Sequence, residues 1–181
     1  MCPCFFIIAM KKTILTLALT VSALMLFAGK IEDRYVTQQL SDGMLFFIKP
    51  YELPSMQKLP AAQLDVTYGV QFDTLTLNMS VYYPEILAID SIHFVSRQTL
   101  PIRNIETFFI DKSKKNYIHR YSIHFPYSEL EKMYRADTPF KMILFTDKGQ
   151  LAYGYSISGW LKEADWMRQI MFLIRHNRKE Q

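Results

Sequence analysis

The chain has 181 residues, is half apolar and 21% charged, and carries a formal charge of +4 that falls to +2 without Lys11 and Lys12. This length suits one domain, and the composition is globular and excludes a disordered chain. So small a charge gives no sign of nucleic-acid binding, and none is expected.

The first recognisable element is a leader. Met10-Lys11-Lys12 followed by residues 13–28 has the layout of a secretory signal, a short basic region and then an apolar core. Residues 1–9 carry no charge and do not fit such a leader, so Met10 reads as the true start and residues 1–9 as a mis-assigned one. Cleavage is expected after Ala28, with Ala23 as the alternative. The alternative is an uncleaved membrane anchor, but the apolar run is short of the roughly 20 residues that a bilayer span needs, which favours a cleaved leader. Leu26-Phe27-Ala28-Gly29-Lys30 resembles the lipobox of bacterial lipoproteins, with Lys30 where that motif has cysteine. Without the thiol no lipid attaches, so the reading is an exported, periplasmic protein that is not a lipoprotein. Cys2 and Cys4 are the two cysteines, and both precede the leader. A disulfide, a thiolate metal site and a cysteine nucleophile are thereby excluded from the exported segment, a single β-rich domain over residues 29–181.

Residues 29–41 read as polar and loosely ordered at their start. Residues 44–49 are a candidate strand. Pro50, Pro54 and Pro60 then keep the chain extended, at a sheet edge or over the surface. Strict alternation follows. Leu64, Val66, Tyr68, Val70 and Phe72, then Leu75, Leu77, Met79, Val81 and Tyr83, predict a hairpin broken at Asp73-Thr74. Residues 91–97 predict another strand. Residues 105–110 and 117–125 predict a second hairpin around the polar loop 111–116. Ser128-Glu129-Leu130-Glu131 matches a capping box and predicts a short helix to about Arg135.

The clearest local signal is strand 140–146, the turn Asp147-Lys148-Gly149, and a returning strand 151–158. Gly149 supplies the left-handed conformation that closes a three-residue hairpin with a bulge. A helix over 159–176, capped by Ser158 or Gly159, follows. Trp160, Ala164, Met167, Ile170, Met171 and Ile174 share its broad apolar face. The small residues Ala152, Gly154, Ser156 and Ser158 are expected to let this helix lie close to the sheet. The sum is a mainly β (α+β) fold: an antiparallel β-sandwich or curled sheet of about eight strands with the C-terminal helix packed on it.

Chemistry is sparse. The sequence has no glycine-rich phosphate loop, nucleophile elbow or paired-histidine zinc motif, so no catalytic residue, metal ligand or cofactor is assigned. His119 and His124 lie five positions apart on one strand and point to opposite faces. Tyrosine is abundant, with 11 in the chain, and this suits half-buried sheet faces more than a ligand platform.

The candidate binding site is Lys112, Lys114, Lys115, Tyr117, His119, Arg120 and Tyr121, at and beside the tip of the second hairpin. Cations next to tyrosine suit an anionic polymer or a lipid headgroup surface. Lysines at a hairpin tip also keep a sheet edge from pairing, which needs no ligand at all.

The leader, the strand–turn–strand and the terminal helix together resemble small exported β-rich proteins of Gram-negative bacteria. That resemblance carries no functional residue. The expected function is a non-catalytic binding or assembly module of the bacterial envelope. Its partner would be an envelope protein, a polysaccharide or an anionic membrane surface, and no nucleic acid. The alternative is a hydrolase of envelope polymers, acting through carboxylates that converge in the fold.

Overall fold

Period-two alternation builds two antiparallel sheets. In the first, β1 (Tyr35–Leu40), β2 (Gly43–Leu53), β3 (Ala62–Gly69), β4 (Thr74–Tyr83), β8 (Asn116–Pro126) and β7 (Ile105–Ser113) lie side by side in that order. In the second, the order is β10 (Gly149–Gly154), β9 (Lys141–Thr146), β5 (Ile89–Val95) and β6 (Thr99–Ile102). The computed structural model describes residues 31–179, so the expected leader, start and cleavage points lie outside the described residues. The chain divides into two units, Met1–Arg34 and Tyr35–Gln181. Of the first, only residues 31–34 are described, a turn in which the Arg34 N–H donates to the Ile31 carbonyl at 2.8 Å.

Leu64, Val66 and Tyr68 on β3, and Leu75, Leu77, Met79 and Val81 on β4, are buried. They form the inner face of the first sheet, as their parity requires. The second sheet contributes Ile92, Phe94, Met142, Leu144, Leu151 and Tyr153. The layers meet where Phe94 of β5 lies 5.7 Å from Phe125 of β8, centroid to centroid. The sandwich expectation holds, with ten strands where about eight were expected.

Both additional strands are edges with muted patterns. β1 is polar, and pairs with β2 through a turn whose Gly43 has φ 149°. β6 has four residues and contains Pro101. In the first predicted hairpin, β3 stops at Gly69, and Phe72 lies exposed in the connection instead of extending the strand.

The helices start where tertiary bonds place them. α1 (Tyr127–Arg135) begins one residue before the expected cap. The Tyr127 N–H donates to the Asp73 carbonyl at 2.8 Å, and no side-chain cap forms. The capping-box residues serve elsewhere: Glu129 pairs with Lys132, and Glu131 with Arg135 and Arg175. α2 (Ile157–Lys179) is longer than expected, because the returning strand ends at Gly154. Neither Ser158 nor Gly159 caps it. The Oγ of Ser156 accepts the Gly159 N–H at 3.2 Å.

α2 packs through its large residues. Trp160 stacks on Tyr134 at 5.2 Å and meets Phe140 edge-on at 5.5 Å, while Trp166 meets Tyr51 at 5.4 Å. Arg168 donates to the carbonyls of Tyr134 and Ala136 at 2.7 and 3.2 Å, satisfying the open end of α1. The small residues of β10 have another neighbour. The proline-rich segment runs along that edge, with Ser55 bridging Tyr153. The sulfur of Met56 lies 3.6 Å from where a Cβ on Gly154 would sit. Pro54 thus runs extended at a sheet edge as expected, Pro50 lies within β2, and at Gly154 Met56 is one of the nearest neighbours.

Candidate functional site

β7 is a free edge of the first sheet, paired with β8 on one side alone. Among the described residues there are four sheet edges, and three are blunted. β10 is covered by the Ser55 segment, β6 is short and carries Pro101, and β1 is polar at Thr37, Gln38 and Gln39. β7 is nine residues long and is exposed from Glu106 to Lys112. Phe108, Phe109 and Ile110 retain 57%, 48% and 39% of their accessible surface. No other run of three consecutive large apolar residues is exposed among the described residues.

Two local features shape this edge. The register of β7 against β8 shifts between Thr107 and Phe109, so Phe108 is an inserted bulge residue. The hairpin then closes more tightly than the six-residue loop expected. Ser113 faces Asn116, and Lys114 and Lys115 alone make the turn. Lys114 has φ 55°, the one positive-φ non-glycine residue among those described, and it points charge outward at the tip.

The seven expected site residues divide into three groups. Lys112, Lys114 and Lys115 are exposed at the tip, and the Lys112 ammonium lies 5.9 Å from the centre of the half-buried Tyr117 ring. His119 and Tyr121 point into the sandwich and are buried. His119 Nε2 accepts the Leu87 N–H at 2.9 Å, and the Tyr121 hydroxyl donates to the Leu87 carbonyl at 3.3 Å. Burial lowers the His119 pKa from its usual value and raises the Tyr121 hydroxyl to about 12. Arg120 occupies the opposite face of β8. It donates to Asp65 at 2.6 Å and to Ser80 at 2.8 Å, and Asn78 donates to the other Asp65 oxygen at 2.8 Å. The structure thus brings the three lysines and Tyr117 together, and assigns His119, Arg120 and Tyr121 to holding β8 in place.

Phe108, Phe109 and Ile110 are what residue reading missed. A signal existed: three successive large apolar residues cannot all face one core at period two. Such a run fits a strand buried on both faces or an edge strand buried on neither, and the hairpin expectation alone does not choose between them.

Among the described residues, no group of three or more histidine, cysteine, aspartate or glutamate side chains is placed to hold a metal ion. His119 and His124 face opposite sides of β8, as their spacing requires. Among the same residues, no helix is long and apolar enough to cross a membrane. No family model, curated protein or solved structure matches this chain.

Proposed function

We propose that this protein is an exported, non-catalytic binding module of the bacterial envelope, and that the β7–β8 hairpin is its contact surface. One observation carries the reading. The longest unprotected strand edge bears an exposed Phe108-Phe109-Ile110 run next to Lys112, Lys114 and Lys115. Exposed apolar edges are a hazard that folded proteins suppress unless the surface is used. Aromatic side chains at the level of lipid headgroups, with lysines paired to anionic lipid, describe an interfacial anchor. The favoured target is therefore an anionic bilayer surface.

The carboxylates lend the hydrolytic alternative no comparable support. Asp65 is held by Arg120 and Asn78, Glu131 by Arg135 and Arg175, and Asp73 by Arg178. Asp65 and Glu131 are thereby committed to structural pairs, while Asp73 is 90% exposed on the surface.

The test replaces Lys112, Lys114 and Lys115 with glutamate and measures retention on anionic vesicles, neutral vesicles and an anionic polysaccharide, at low and moderate salt. Each lysine near an anionic surface contributes about 1 kcal/mol, so the variant should lose vesicle binding. The wild type should weaken as salt rises. Retention on polysaccharide alone would move the target from lipid to glycan. Equal retention of both proteins would remove the hairpin as the site.

A further inference from the structure

A cleft of about 640 Å³ opens between the β5–β6 hairpin and α1, away from β7. Its size lies within the range of small-molecule sites, about 300–1,000 Å³. The hairpin turns tightly, with the Ser96 N–H bonded to the Gln98 carbonyl at 3.0 Å and Val95 facing Thr99. The turn stands off from the helix instead of packing flat on it. Phe94 and Met133, both buried, form the floor, and half-buried Leu100 forms one wall. The exposed side chains of Arg97, Lys132 and Arg135 ring the opening, with Glu129 as the one acid lining it.

Lys132 stays paired with Glu129 at 2.6 Å, whereas Arg97 and Arg135 have partners that release them at small cost. Arg97 pairs with Asp137 at 3.4 Å, where the two side chains are 73% and 87% exposed. Exposed pairs of this kind contribute about 0–1 kcal/mol. Arg135 pairs with Glu131 at 3.0 Å, and Glu131 would keep Arg175 if Arg135 turned away. The negative end of α1 also lies here, which would oppose an anion. That end is already neutralised, because Arg168 and the Trp160 indole N–H occupy the carbonyls of Tyr134 and Ala136.

We infer that this cleft binds a small amphiphilic anion. Its acyl or aryl body lies against Phe94, Leu100 and Met133, and its carboxylate or phosphate head meets Arg97 and Arg135. The site is independent of the β7–β8 hairpin and uses none of its residues.

The experiment titrates the full chain, with its methionine methyls labelled, with decanoate, decyl phosphate and decanol below their micelle concentrations. Methyl NMR and calorimetry provide the readouts. Decanoate or decyl phosphate should shift the Met133 methyl and bind about tenfold more tightly than decanol, the gain expected of charge-assisted bonds. The stronger of the two anions identifies the head. Leu100→Trp should fill the cleft and abolish the shift. An Arg97→Gln/Arg135→Gln double variant should reduce the anions to the level of decanol. An unmoved Met133 methyl, equal binding of decanol to the wild type, or unchanged anion binding to the double variant would each overturn the inference. If Leu100→Trp melts early, the double variant decides alone.

Discussion

Arg120 on β8 and Asp65 on β3 reach across the intervening β4 to form a 2.6 Å ion pair on the outer face of the first sheet. Their side chains are 25% and 17% exposed, and on β4 Ser80 accepts from Arg120 while Asn78 donates to Asp65. The pair thus ties three strands together. Removing one partner from a buried pair costs about 3–5 kcal/mol, and partial exposure reduces this. Arg120→Ala should lower unfolding free energy by about 1.5–3 kcal/mol, the range of hydrogen bonds to charged groups, without changing vesicle retention. Urea melts and the retention assay check the two halves separately.

His119 gives the fold a dependence on acid. Its Nε2 accepts the Leu87 N–H in a buried setting, which requires the neutral ring. Burial puts its folded pKa below the unfolded value of 6.5. The unfolded chain therefore binds the proton first. The stability His119 contributes is fully present above about pH 6.5 and is lost as pH falls through the folded pKa. Urea melts from pH 7.5 to 5 should show declining stability. His119→Gln, whose carbonyl oxygen can accept the same N–H, should flatten part of that slope. An identical slope in the variant would assign the effect to other groups.

The terminal helix should separate buried from exposed positions sharply. Met167 is fully buried and Leu161 is 58% exposed. Met167→Ala should cost about 2–5 kcal/mol, and Leu161→Ala should stay within about 0.5 kcal/mol. Both are read as shifts in denaturant midpoint.

Helix starts provide a second contrast. Ser156→Ala removes the bond to the Gly159 N–H and should cost about 1 kcal/mol. Ser128→Ala touches no cap bond and should be nearly neutral despite the capping-box spelling. Equal losses at the two serines, measured by thermal melts, would mean that the assigned starts are misplaced.

Much of the fold was legible because alternation is a property of the residues themselves. Leu75, Leu77, Met79 and Val81 declare their buried face without help from the rest of the chain. Gly149 takes the positive φ its sequence implies, at 104°, but it pairs with Thr146, so Asp147 and Lys148 alone make the turn where a three-residue loop with a bulge was expected. Features decided by distant partners were not legible. Ser128 fails as a cap because Asp73, far back in the chain, takes the Tyr127 N–H and starts the helix earlier. β6 is hidden by Pro101, which an edge strand tolerates. The candidate site was legible as charge and illegible as shape. Lys112, Lys114 and Lys115 follow from composition, whereas the exposure of Phe108 and Phe109 depends on which strand ends the sheet. His119 and Arg120 are sequence neighbours with opposite fates, because adjacent strand positions face opposite sides.

The most direct measurement of the central claim places a reporter on the exposed edge. Phe109→Trp substitutes one large exposed aromatic for another, while Trp160 and Trp166 are both buried and their signal subtracts against the wild type. The difference emission should shift to shorter wavelength when anionic vesicles are added, shift less at moderate salt, and stay unchanged with neutral vesicles. An unshifted spectrum with anionic vesicles at low salt, from a variant that melts like the wild type, would contradict the hairpin as a membrane contact.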